Sequence, residues 1–220
     1  MLSDKHFCNF AKKLKVQLEE NIVYSKGVIE FVTIAAEYCS YVESVENDSK
    51  KDFLLKSQKL LSALYLKASL LPKVDAIYED GNEKFVSEED WIYIKGKVVQ
   101  KLGKHEIFLD VYSAVLALED DSENVSLSEI YADIYQDLMD FVSLYRFGHE
   151  DSMNDALWEC QQNFQQYWGQ RLLVALTAIH NIIFGGDDLD EEDVESEQKA
   201  EPDTSNWIFS QRQKDWGEDE

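Results

Sequence analysis

Apolar residues recur at intervals of three and four along most of the chain. In the last long segment they fall at Met153, Ala156, Leu157, Cys160, Phe164, Trp168, Leu172, Ala175, Leu176, Ile179 and Ile183. That spacing places side chains on one face of an α-helix, and Gly185 follows as a natural stop. Upstream, Ser126 and Glu129 have the spacing of a capping box. They open a stripe of Leu127, Ile130, Ile134, Leu138, Phe141 and Tyr145, which closes at Gly148. A helix from about Val28 to Val45 is apolar on most sides, which predicts a central position. Another, from about Ser49 to Leu71, stops before Pro72, since the residue ahead of a proline is pushed out of the helical region. Ser87 with Asp90 caps a shorter helix through Leu102, ended by Gly103, and a further helix is expected from about His105 to Glu119. No alternating period competes. The pattern predicts an all-α fold, an antiparallel bundle of five to six helices joined by short connections. Its expected core includes Phe31, Ala35, Leu61, Leu64, Ile134, Leu138, Phe164 and Leu172.

Composition supports that pattern and adds a division. Nine glycines and two prolines in 220 residues are too few for a turn-dense β-sandwich or barrel. Forty-four acids against 21 bases leave a net charge of −23. Such a chain lacks the clustered Lys and Arg that displace counterions from nucleic acid or adhere to anionic membranes. Half of the excess acidity follows Gly185-Gly186: residues 187–220 hold 14 acids and 3 bases. A run so acidic repels itself and buries too little apolar surface to offset chain entropy. The expected organisation is an N-terminal extension over 1–22, a helical bundle over 23–186 and an acidic tail over 187–220. In the extension, Phe7, Phe10, Ala11, Leu14 and Leu18 keep helical spacing. In the tail, Trp207, Ile208, Phe209 and Trp216 interrupt the polar background, and residues 206–216 are expected to dock on another surface. Met1–Glu20 lacks the continuous apolar stretch of a secretory signal. No run of eighteen apolar residues occurs, and the three cysteines show no paired or metal-ligand spacing. A cytoplasmic address is expected.

Candidate chemistry should show as ionisable groups intruding on helical stripes. Glu30 and Glu37 are seven apart and share a helix side. Asp133 and Asp137 sit one turn apart, followed by Asp140. Arg171 falls among Phe164, Trp168 and Ala175, and His180 follows Ile179 near the end of the same helix. A half-buried Arg171 needs a carboxylate partner, from the Asp133/Asp137 helix or from Glu37. Two functional readings arise. In one, the chain is a protein–protein interaction module that uses its acidic surface and the Trp207–Phe209 tail to bind a protein, a basic one being the match for its charge. In the other, Glu37, Asp133, Asp137, Arg171 and His180 surround a catalytic site for hydrolysis of a nucleotide or other phosphate. Glu30, Glu37, Asp133 and Asp137 would then hold Mg²⁺ or Mn²⁺, which favour oxygen ligands. No Glu-x-x-His, phosphate-binding glycine loop or serine-nucleophile elbow is present. Convergence of those five groups on an open pocket would favour hydrolysis.

Several stretches also resemble a known family. They are VIEFVTIAAEYCSYVE (28–43), EDWIYIKGKVVQKLG (89–103), YADIYQDLMDF (131–141) and MNDALWECQQNFQQYWGQRLLVALTAIH (153–180). From Val23 to about Ile183 the chain resembles the bacterial helical proteins grouped as domain of unknown function 5063, most specifically in ADIYQDL and YWGQRL. The resemblance implies a helical fold and a bacterial cytoplasmic protein, and it implies no catalytic residues.

Overall fold

The computed structural model describes residues 21–78, 81–109, 124–186 and 189. The expected extension up to residue 20 and the docking segment with Trp207, Ile208, Phe209 and Trp216 lie outside them. After a 3₁₀ turn at Ile22–Tyr24 come helices α1 (Lys26–Glu43), α2 (Lys50–Ser69) and α3 (Glu88–Leu102). A short antiparallel pair, β1 (Ile107–Leu109) and β2 (Asn124–Ser126), precedes α4 (Leu127–Phe147). Helix α5 (Glu150–Asn163) continues through a π-helical turn at Phe164–Trp168 into α6 (Gly169–Phe184). Backbone angles stay right-handed across both junctions, so α5 and α6 form one helical path. The fold is all-α. No helix among the described residues is long and apolar enough to cross a membrane.

Local signals account for the helix ends. The Ser49 side chain accepts from the Asp52 amide at the start of α2. Ser87 and Asp90 form a complete capping box at the start of α3. The box expected at α4 is half made: the Ser126 hydroxyl accepts from the Glu129 amide, while the Glu129 carboxylate is drawn to Lys95 at 2.6 Å. Gly148, at φ +80°, terminates α4 in a conformation that L side chains rarely adopt.

Cross-helix contacts fix the directions. Tyr38 donates to the Tyr131 carbonyl and Phe31 meets Phe141, so α1 and α4 run antiparallel. Trp91 meets Asp133 and Lys95 meets Glu129, which does the same for α3 and α4. Tyr41 sits on Phe53 while Glu30 reaches Lys67, so α1 and α2 are antiparallel too. Phe31, Ala35, Leu61, Leu64, Ile134, Leu138 and Leu172 are fully buried, as the pattern predicts.

Three expectations are corrected. The centre is α4 rather than the helix over 28–45: α4 touches α1, α3, α5 and α6, while α1 leaves Ile29, Thr33, Glu37 and Ser40 exposed. Periodicity misjudged α4 because Tyr131, Tyr135 and Asp140 read as polar, yet all three are buried with α4's aliphatic stripe. The helix expected from His105 to Glu119 gives way at Ile107–Leu109 to a strand, with Phe108 opposite Val125; residues 110–119 lie outside the described residues. Phe164 is half-buried rather than core, edge-on to Tyr65 at 5.2 Å.

The connection from α2 to α3 is pinned by side chains from the later helices. Both oxygens of buried Asp155 accept backbone amides, from Ile77 at 2.6 Å and Tyr78 at 2.8 Å. One oxygen of buried Asp140 accepts the amides of Phe85 and Val86. Gln161 donates to the Pro72 carbonyl at 2.6 Å. Buried carboxylates are tolerated here because each receives two aligned donors.

Candidate functional site

The π-helical turn organises the polar groups on the flank of α4. Its defining bond runs from the Gly169 amide to the Phe164 carbonyl, five residues back. A Cβ at Gly169 would lie 2.4 Å from that carbonyl oxygen and 2.7 Å from the Phe164 ring. Only glycine fits. Alanine favours helices over glycine by about 1 kcal/mol, but the clash outweighs it, and Gly169→Ala should lower stability by a net of about 1–2 kcal/mol. Equal or higher melting temperature in that variant would show that the turn relaxes to an ordinary α-helix without strain.

Tyr167, within the turn, and Arg171, just beyond it, sit about one helical turn apart and both reach Asp133. The Tyr167 hydroxyl donates to Oδ2 at 2.7 Å, and Arg171 Nη2 lies 2.8 Å from the same oxygen. Trp91 Nε1 donates to Oδ1 at 3.0 Å. The guanidinium also lies over the Tyr167 ring at 5.2 Å. Burial and the Asp133 carboxylate push the Tyr167 hydroxyl up to about 12. The result is a clasp joining α3, α4 and α6, with one carboxylate shared among three donors. Arg171 thus has the partner that the sequence demanded.

One turn along α4 lies a tighter polar cluster. Asp137 accepts from Asn163 Nδ2 at 2.6 Å, and burial raises its carboxyl to about 6. Burial also raises the neighbouring Asp140 carboxyl. Lys84 bridges Glu159 at 2.8 Å and Asp140 at 3.7 Å. The crevice between these groups holds only about 10 Å³. A substrate cannot enter it.

The remaining sequence candidates do not join this flank. Glu30 pairs with Lys67 at 2.7 Å and Lys26 at 3.7 Å, on the opposite boundary between α1 and α2. Glu37 is exposed on α1. His180 is exposed and packs on Phe184 at 4.7 Å. So Asp133 and Arg171 meet with Asp137 nearby, whereas Glu30, Glu37 and His180 stay apart. Among the described residues, no group of three His, Cys, Asp or Glu side chains is placed to hold a metal. Sequence reasoning missed Trp91, Tyr167 and Asn163 as partners, since nothing in helical spacing says which donor will cross to which helix. Cys39 and Cys160 are buried, and burial raises both thiols.

Two of the strings that carry the family resemblance, 132–138 and 167–172, are those that meet in the clasp. The family model described as Domain of unknown function (DUF5063) matches residues 22–185. The chain belongs to this family. A solved structure similar to this chain is that of protein BF1032 from Bacteroides fragilis. It is 34% identical, covers 76% of this chain and 98% of its own, and superposes with a TM-score of 0.68. None of the curated proteins matches the chain. For this DUF5063 member, helical architecture and family membership agree with the expectation from sequence.

Proposed function

We propose that the chain is a protein–protein interaction module that binds a basic partner through its acidic surface and the aromatic segment around Trp207–Phe209. The observation that carries this reading is the sealing of the carboxylate flank. Asp133 is taken up by Trp91, Tyr167 and Arg171, and Asp137 faces Asn163 in a crevice too small for a ligand. Groups committed in this way hold helices together and leave no open position for a reacting phosphate. The hydrolase alternative would need Glu37 and His180 at the same place, and they are exposed elsewhere.

Charge supplies the second support. A chain at −23 attracts cationic surfaces over distance and speeds their encounter, an effect that salt weakens. Trp207, Ile208, Phe209 and Trp216 add apolar area of the kind that anchors interfaces. The test is affinity capture with the full chain beside a chain ending at Gly186. The full chain should retain a partner that the shorter one loses, and Trp207→Ala with Phe209→Ala should reproduce the loss. Equal capture by all three forms, with tail tryptophans emitting as fully solvated, would refute a role for the tail.

A further inference from the structure

Helix α4 is jacketed on three flanks, by α1, by α3 and by the α5–α6 path. Its fourth flank, bearing Tyr135, Met139 and Ser143, faces an open trough between α1 and α3. The trough holds about 230 Å³, lined by Phe85, Val86, Ile94 and Met139, with Glu43, Asp90 and Tyr93 around it. That is small for a drug-sized ligand and right for large apolar side chains presented by a peptide. Two carboxylates, Glu43 and Asp90, border it, with Lys97 at the rim over the Tyr93 ring. The Glu43 carboxylate accepts from the Tyr135 hydroxyl at 2.8 Å and retains lone pairs for a cation.

One stretch of this chain has the complementary chemistry. Residues 5–18 contain Lys5, Lys12, Lys13 and Lys15 and no acid, in a protein of net charge −23. The same stretch carries Phe7, Phe10, Ala11, Leu14 and Leu18 at helical spacing. It joins the described structure at Asn21, where the 3₁₀ turn meets the end of α4 and the start of α5. Asn21 donates to Glu150 at 2.8 Å, and Tyr145 donates to the Val23 carbonyl at 2.6 Å. Ser143, at the same end of α4, shares a turn with Tyr145 but faces a different side of the helix. Exposed Phe147, also at this end of α4, stacks on the trough residue Phe85 at 5.6 Å. From Ser143 to Tyr135 the trough runs about 12 Å along α4, which fourteen residues span even when coiled at about 1.5 Å each. The acidic tail is the wrong occupant: residues 187–220 carry 14 acids and would meet the Glu43 and Asp90 carboxylates.

We propose that residues 5–18 seat in cis on the trough between α1 and α3, with their apolar stripe on Met139 and Ile94 and their lysines towards Glu43 and Asp90. The segment would cover the open flank of α4, and a basic partner binding there would have to displace it. This inference stands apart from the partner reading above, since it requires no second protein.

Cys8 provides the test, because Cys39 and Cys160 are buried and shielded from reagents. In the full chain, Glu89→Cys places a thiol at the exposed edge of α3 beside Asp90, and Ser143→Cys places one at the near end. Thr177→Cys, exposed on α6, is the control. A short bis-maleimide should cross-link Cys8 within the chain to the Glu89→Cys or Ser143→Cys thiol, several-fold above the control. Adding Lys12→Glu, Lys13→Glu and Lys15→Glu should abolish the excess while leaving the circular-dichroism spectrum unchanged. Yields equal to the control at both positions would overturn the proposal. A cross-link between two chains would also overturn it, because the occupant would then be a second copy.

Discussion

An Arg171→Met chain should lose about 3 kcal/mol of stability, the lower end of the range for stranding one member of a buried ion pair. Asp133 would keep the Trp91 and Tyr167 donors but no countercharge, and its side chain is only 13% exposed. The methionine restores most of the packing volume, so the loss reports charge rather than a cavity. Asp133→Asn should cost a comparable amount, and the double variant clearly less than the sum, since the two single changes remove the same contact. Denaturant unfolding of the four proteins measures this directly. If Arg171→Met unfolds at the wild-type midpoint, the clasp contributes nothing and the guanidinium is effectively solvated.

Asp137 yields the second large effect, with the opposite sign. Its carboxyl, ordinarily near 3.8, is raised to about 6 by burial, so between those values the folded chain binds more protons than the unfolded one. Stability from this group is therefore present near pH 4, falls as pH rises through 6, and is fully lost at pH 7. Two pKa units correspond to nearly 3 kcal/mol, which solvent reaching the half-buried carboxyl reduces to about 2. Asp137→Asn should consequently stabilise the protein by about 2 kcal/mol at pH 7 and change it little at pH 4. The Asn163 hydrogen bond survives in that variant, as an amide oxygen replaces the carboxylate oxygen. A variant less stable than wild type at pH 7 would show that the carboxylate is held by its neighbours, not penalised by burial.

Much of the helical frame was legible because its signals are local. Ser49, Ser87, Ser126, Gly103 and Gly148 stand at helix ends, and spacings of three and four marked which faces go inward. The need of Arg171 for a carboxylate was equally readable, since charge burial is a one-residue argument. What the chain concealed depends on pairs far apart in sequence. Tyr131, Tyr135 and Asp140 made α4 look amphipathic, and only the Phe85 and Val86 amides, more than fifty residues away, explain why Asp140 can be buried. The strand at Ile107–Leu109 exists through its partner at Asn124–Ser126, so no window around His105 could reveal it. The π-helical turn shifts the register of one helix without disturbing its apolar rhythm, which hid Tyr167 from the candidate list.

The strand pair also bears on how the chain could be divided. Leu109 lies opposite Asn124 in the ladder, so the segment between them begins and ends at one place. A cut within residues 110–123 would leave α1 to α3 on one fragment and α4 to α6 on the other. Each fragment would then carry half of a core that only the other completes: Phe31 against Phe141, Tyr38 against Tyr131, Trp91 against Asp133. Two such pieces, separately expressed, should associate when mixed, with their new ends leading from paired β1 and β2.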